Sequence, residues 1–286
     1  MRPATREARA DAIPAPAYFM VSAVFHYLGP ALAVLLFARV EPLGVAWLRI
    51  VSAAAVFCLW RRPWRVWHAL DGAGRRLVGT WGALLAAMNC CFYLAIDRLP
   101  LGTVAAVEFA PVVVLAAAAA STPRNLAAVG LAAAGVYVLT DVRLAGDPLG
   151  LVCTGLNALL FAGYVVLGHR VARRADLPRI DGLAAAMAVA AVLSLPAGIV
   201  AARPAFTDPR LLGAAAGVGI CSSVIPYVCD QLAMARLSRG AFALMLSLLP
   251  ATASVIGAVV LRQVPSAAEA LAVGLVAAAV SVHRER

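Results

Sequence analysis

The sequence predicts an all-α, polytopic membrane protein with ten transmembrane helices arranged as two inverted five-helix repeats. Three observations predict it. Of 286 residues, 63% are hydrophobic and only 13% charged, with mean hydropathy +0.90, against roughly 45–50% and about 25% in soluble domains. Apolar runs of about 20 residues, enough to cross a hydrocarbon core about 30 Å thick, recur along the whole chain. The second half also repeats motifs of the first.

In order, the spans read 16–38, 42–60, 77–96, 100–120, 123–141, 148–168, 182–201, 210–235, 240–261 and 266–283. Residues 1–15 are polar and lead into a full-length span without a small-residue cleavage site, which predicts a cytoplasmic tail. A short turn, Asp97 to Pro100, joins the third and fourth spans. Runs 123–141 and 266–283 are the shortest, about 27–28 Å long at helical rise. The last opens on Ser266-x-x-Glu269, a capping box that assigns Glu269 to the helix end.

All 24 basic residues are arginine and the net charge is +10. They form no single patch or tail, which argues against nucleic-acid binding, and they fall in the links between spans. With the N-terminus inside, 17 arginines lie in the cytoplasm, including the 61–76 clusters and Arg170, Arg173, Arg174 and Arg179. Six face the other side, Arg39, Arg98, Arg143, Arg203, Arg210 and Arg262, and Arg49 is intramembrane. The positive-inside rule then places both termini in the cytoplasm, in a cytoplasmic (inner) membrane. The six cysteines all sit in apolar runs without a C-x-x-C pair, which fits small core residues and predicts neither disulfides nor metal.

A shift of 138 residues lays FYLAIDRLPLG (92–102) on DQLAMARLSRG (230–240). A shift of 144 lays AVGLAAAGV (128–136) on AVGLVAAAV (272–280), with seven of nine identical. The repeats are therefore 16–141 and 148–283. Each holds five spans, an odd number, so the second enters the membrane inverted. Many secondary transporters are built this way, with the substrate site near the midplane between halves.

Within the spans, Glu108 is the strongest functional signal. It lies roughly 12 Å down its helix, counted from Pro100, and a charge at that depth marks a functional site by default. Arg49, about 10 Å from the outer end of its helix, is the natural partner in a structural ion pair. Asp230 lies roughly 8 Å from the inner face, where snorkelling or hydration satisfies it as readily as a functional role. His26, the one histidine near the middle of a predicted span, suits either a proton relay or a packing hydrogen bond. Asn89, Tyr93, Asn157, Tyr164 and Tyr227 either line a cavity or bond between helices. Pro30, Pro111, Pro226 and Pro250 loosen the carbonyls of His26, Val107, Ser222 and Leu246. Free carbonyls are tolerated at membrane depth only where protein or a wet cavity receives them, and beside a carboxylate they suit an ammonium group.

The pattern FYLAIDRLPLG–VEF–P, the Leu48-Arg49 pair of AWLRI, and IPYVCDQLAMARLS–LMLSLLPATAS resemble the EamA-type drug/metabolite transporter superfamily, most closely its threonine and homoserine exporter branch. The resemblance covers nearly the whole chain. It departs at EFAP, one residue short of E-F-x-G-P, at Leu249, where the family has glutamate, and at Asp230, which replaces glutamate. The resemblance implies a secondary exporter of small metabolites, amino acids of the threonine/homoserine type. Proton antiport is the economical energy source, since no Walker motif is present. Exporters of other metabolites or drugs remain open. An intramembrane enzyme using His26, Glu108 and Asp230 is the rival class, and no H-E-x-x-H or G-x-S-x-G motif supports it. The partners expected are a small-molecule substrate, protons and membrane lipids, without a cofactor.

Overall fold

The computed structural model describes residues 14–102, 104–105, 107–108, 111, 122–141, 147–238, 242, 245–246, 248–262 and 266–282. Residues 1–13 of the predicted tail, most of span 100–120 and a few positions of span 240–261 lie outside them, as does the Glu269 side chain. Among the described residues, the regular secondary structure is all helical. Helix α1 is Ala15–Val34, α2 Pro42–Arg61, α3 Pro63–Ala69 and α4 Gly72–Ile96. Helical residues between 101 and 111 carry Glu108. There follow α5 Pro123–Asp141, α6 Pro148–Ala172, α7 Arg179–Gly198, α8 Arg203–Thr207, α9 Pro209–Gly219, a π-helical turn Ile220–Val224, α10 Ile225–Met234, α11 Leu249–Leu261 and α12 Ala267–Val282.

Among the described residues, six segments are long and apolar enough to cross a membrane: Ala17–Val34, Pro42–Arg61, Gly72–Ile96, Pro148–Ala172, Arg179–Gly198 and Pro209–Met234. All six fall on predicted spans. The short α3 and α8 are helical where the sequence suggested links.

Local chemistry sets the helix starts. Asp71 caps α4 by accepting from the Gly74 N–H at 2.7 Å, and Asp147 caps α6 through Gly150 at 2.9 Å. Pro42, Pro148 and Pro209 open their helices, where a missing N–H costs nothing.

Packing couples distant parts of the chain. Helix α2 lies along α7, α4 lies against both α6 and α7, α1 packs on α10 and α11, and α5 pairs with α12. Lipid offers no hydrophobic drive between helices, so close approach by small residues does this work. A Cβ on Gly82 would stand 2.6 Å from the Ala186 carbonyl, so only glycine lets α4 approach α7 here.

Ion pairs join the loops into two separate sets. At one end Arg61 bonds Asp181, and Arg174 bonds Asp71 at 2.9 Å and Asp176 at 2.7 Å. At the other, Arg39 meets Asp208 at 3.4 Å, and Arg98 meets Asp97 at 3.4 Å and Asp147 at 3.9 Å. The Gly74 N–H, and then the Arg174 guanidinium, hold the Asp71 carboxyl below its ordinary range.

Candidate functional site

Glu108 is buried between the two halves of the chain. Its Oε2 accepts from the Tyr27 hydroxyl at 3.1 Å and its Oε1 from Asn157 Nδ2 at 2.8 Å. One donor comes from α1 and the other from α6. A carboxylate cut off from water needs such donors, because an unsatisfied one is far too costly to bury.

Arg49, also buried, is held by the broken helix of the second half. Pro226 has no N–H to offer the Ser222 carbonyl, and the chain passes 220–224 as a π-helical turn. The orphaned carbonyl accepts from Arg49 Nη2 at 2.7 Å. Nη2 also donates to the Tyr227 hydroxyl at 3.3 Å, and Nε to Ser223 Oγ at 2.8 Å. The guanidinium carbon lies 5.5 Å from the Tyr93 ring centroid and 5.9 Å from that of Tyr227. The direct ion pair of Arg49 with Glu108 is therefore not formed. Equal depth suggested it, but the loosened carbonyl and two hydroxyls satisfy the arginine, and two amide and hydroxyl donors satisfy the carboxylate. Of the carbonyls expected to be loosened by proline, that of Ser222 accepts from the protein's own guanidinium.

The two charges nevertheless share one small cavity. His26, Arg49, Asn89, Glu108, Asn157 and Tyr227 supply its polar lining, and Pro30, Met88 and Phe92 its apolar wall. Its volume is about 10 Å³, roughly the room for one water. Asn89 Nδ2 donates to the Leu85 carbonyl at 2.7 Å and reaches the Tyr227 hydroxyl at 3.5 Å. His26 Nδ1 and Asn157 Oδ1 are buried with no hydrogen-bond partner among the described residues.

Three of the predicted residues lie elsewhere. Tyr93 stands behind Arg49. Asp230 does not snorkel: it is fully buried, accepting from Ser22 Oγ at 2.5 Å and from the Tyr164 hydroxyl at 2.8 Å. Helix α10 packs against α1, which supplies Ser22, and against α6, which supplies Tyr164. The rings of Tyr164 and Tyr227, 5.4 Å apart, connect this cluster to the cavity. Sequence reasoning missed Tyr27, Ser22 and Ser223. Ser22 and His26, four residues apart, share a helix face, a signal that points to Ser22.

The family model for EamA-like transporters matches residues 148–283. The threonine/homoserine exporter RhtA of Escherichia coli (strain K12) is 29% identical over 256 residues, covering 88% of this chain and 84% of its own. RhtA of Salmonella typhimurium (strain LT2) matches with the same figures. The second half of this chain is thus similar to EamA-like transporters, and most of the chain is similar to RhtA. A crystal structure at 20% identity, covering 93% of this chain and 96% of its own with a TM-score of 0.67, shares the fold. The six apolar segments fit a polytopic membrane protein, and the similarities to EamA-like transporters and to RhtA support a membrane exporter of small metabolites.

Proposed function

We propose that the chain exports small amino acids of the threonine/homoserine type across the cytoplasmic membrane by proton-driven alternating access, with both termini inside. The observation that carries this is the cavity holding Glu108 and Arg49, unpaired with each other, between the halves of the chain. The name of the RhtA relatives supplies the substrate type.

Helix partners support the inverted repeat. The third span packs on the sixth as the first does on the eighth, while the second meets the seventh and the fifth meets the tenth. Inverted halves exchange partners in this way. Asn89 and Tyr227, 138 residues apart, touch at the cavity, as equivalent residues on a pseudo-two-fold axis would. The two sets of ion-paired loops match the two sides that the arginine count assigns. A cavity this small admits no amino acid, so the walls must part to load one, and Pro30, Pro226 and the π turn put breaks in the helices that form them.

The test is flux. Purified protein in liposomes should release preloaded radiolabelled threonine or homoserine faster when a pH gradient is imposed. Flux no greater than from protein-free liposomes, for every amino acid tried, would overturn the reading.

A further inference from the structure

The cavity has a polarity. Arg49 and Asn89 meet at the Tyr227 hydroxyl, and Glu108 is bonded to Asn157, so the lining carries a cation and an anion with separate neighbours. Each charge is satisfied by its own neutral neighbours, so neither neutralises the other directly. Two buried polar atoms on the lining have no partner among the described residues, and Asn157 Oδ1 lies on the residue that bonds Glu108. Native proteins rarely leave such atoms unpaired, and a polar ligand is one way of pairing them.

We propose that this cavity, once its walls part, binds its ligand as a zwitterion laid between the two charges: the carboxylate on Arg49 and Asn89, the ammonium on Glu108 and Asn157 Oδ1. The proposal rests on the exporter reading and adds the orientation and the residue-level discrimination. Guanidinium presents several donors in one plane, a geometry matched to a carboxylate. Arg49 holds the Ser222 carbonyl through Nη2, so an arriving carboxylate competes for that group. An ammonium carries three donors and no acceptor. It fits the carboxylate–amide pair of Glu108 and Asn157 and is repelled by Arg49. A monovalent amine or acid of the same size meets one correct pole and leaves the other charge facing it without a counter-charge. The side chain of the ligand falls to Pro30, Met88 and Phe92, which read only its bulk and apolar character.

The experiment is binding to purified protein in detergent, read as ligand-induced thermal stabilisation over a concentration series. The probes are threonine, its amino alcohol lacking the carboxylate, and its 2-hydroxy acid lacking the ammonium. Each analogue should bind about tenfold or more weakly than threonine, the loss of one charged hydrogen-bonded contact. In Glu108→Gln, threonine should weaken while the hydroxy acid changes less than about twofold; in Arg49→Lys, threonine should weaken while the amino alcohol changes as little. Should Arg49→Lys fail to fold, the wild-type panel and Glu108→Gln decide. Analogues that match threonine on the wild type overturn the polarity alone. No stabilisation by threonine, homoserine or any other amino acid overturns the exporter reading and the polarity together.

Discussion

Arg49 and Ser222 lie in different halves of the chain, yet the guanidinium of one donates to the carbonyl of the other at 2.7 Å. The bond exists because Pro226 withdraws the N–H that would have closed the helix there. A defect in one helix thus becomes the anchor for a charge on another. Arg49 occupies membrane depth because the second half supplies three acceptors to it: Ser222 O, Ser223 Oγ and the Tyr227 hydroxyl.

The stability of the fold should depend on that anchor. Arg49→Ala leaves the Ser222 carbonyl buried without a partner, which costs about 1–3 kcal/mol and lowers the melting temperature in detergent. Ser223→Ala should cost about 1 kcal/mol by itself. The double variant should lose less than the sum, since both changes remove the same bond. Strict additivity would show that the 2.8 Å contact contributes nothing.

How much of this was readable from sequence follows from which forces leave a trace in it. Apolar run length and the arginine distribution are local, and the six long apolar helices fall on predicted spans. The depth of Glu108 was countable from Pro100, and the freed Ser222 carbonyl from Pro226. The partners were not. Equal depth brought Arg49 toward Glu108 on paper, but depth does not fix rotation about the helix axis, and the π turn changes that rotation locally. Asp230 was placed near the inner surface by counting residues. Its burial depends on how α1 and α6 cover α10, a tertiary fact with no local signature.

At one end of the molecule, acid should loosen the loops before it affects the core. Asp71 caps α4 and bonds Arg174, and its carboxyl titrates below the ordinary 3.8. A depressed value means a contribution complete above 3.8 and lost as pH falls through the folded value. Asp71→Asn keeps a good capping side chain but removes the charge. The variant should therefore melt close to wild type at neutral pH, since exposed ion pairs contribute little. Its melting temperature should decline less steeply than wild type as pH drops through the acid range. High salt should narrow the difference between the two, because exposed pairs are screened. Parallel acid profiles at low salt would mean that the Asp71–Arg174 contact is not formed in solution.

The last prediction concerns Glu108, which we propose as the proton-coupling group. Its two oxygens accept from Tyr27 and Asn157, one donor from each half, so any change of its charge is felt by both halves at once. Protonation turns one oxygen from acceptor to donor, and the Tyr27 hydroxyl can rotate to accept from it. The carboxyl group can therefore gain or lose a proton while both of its contacts persist. Glu108→Gln copies the protonated form permanently: its amide oxygen accepts from Asn157 and its amide nitrogen donates to Tyr27. The variant should fold and reach the membrane in wild-type amounts. It should lose pH-gradient-driven accumulation in inverted vesicles by about tenfold or more, the effect expected when a positioned proton-transfer group is removed. Exchange of internal for external substrate should persist at reduced affinity, since it needs no net proton movement. If Glu108→Gln vesicles accumulate threonine with wild-type dependence on the pH gradient, the proton is carried elsewhere, and Asp230 with its Ser22 and Tyr164 donors is the group to test next.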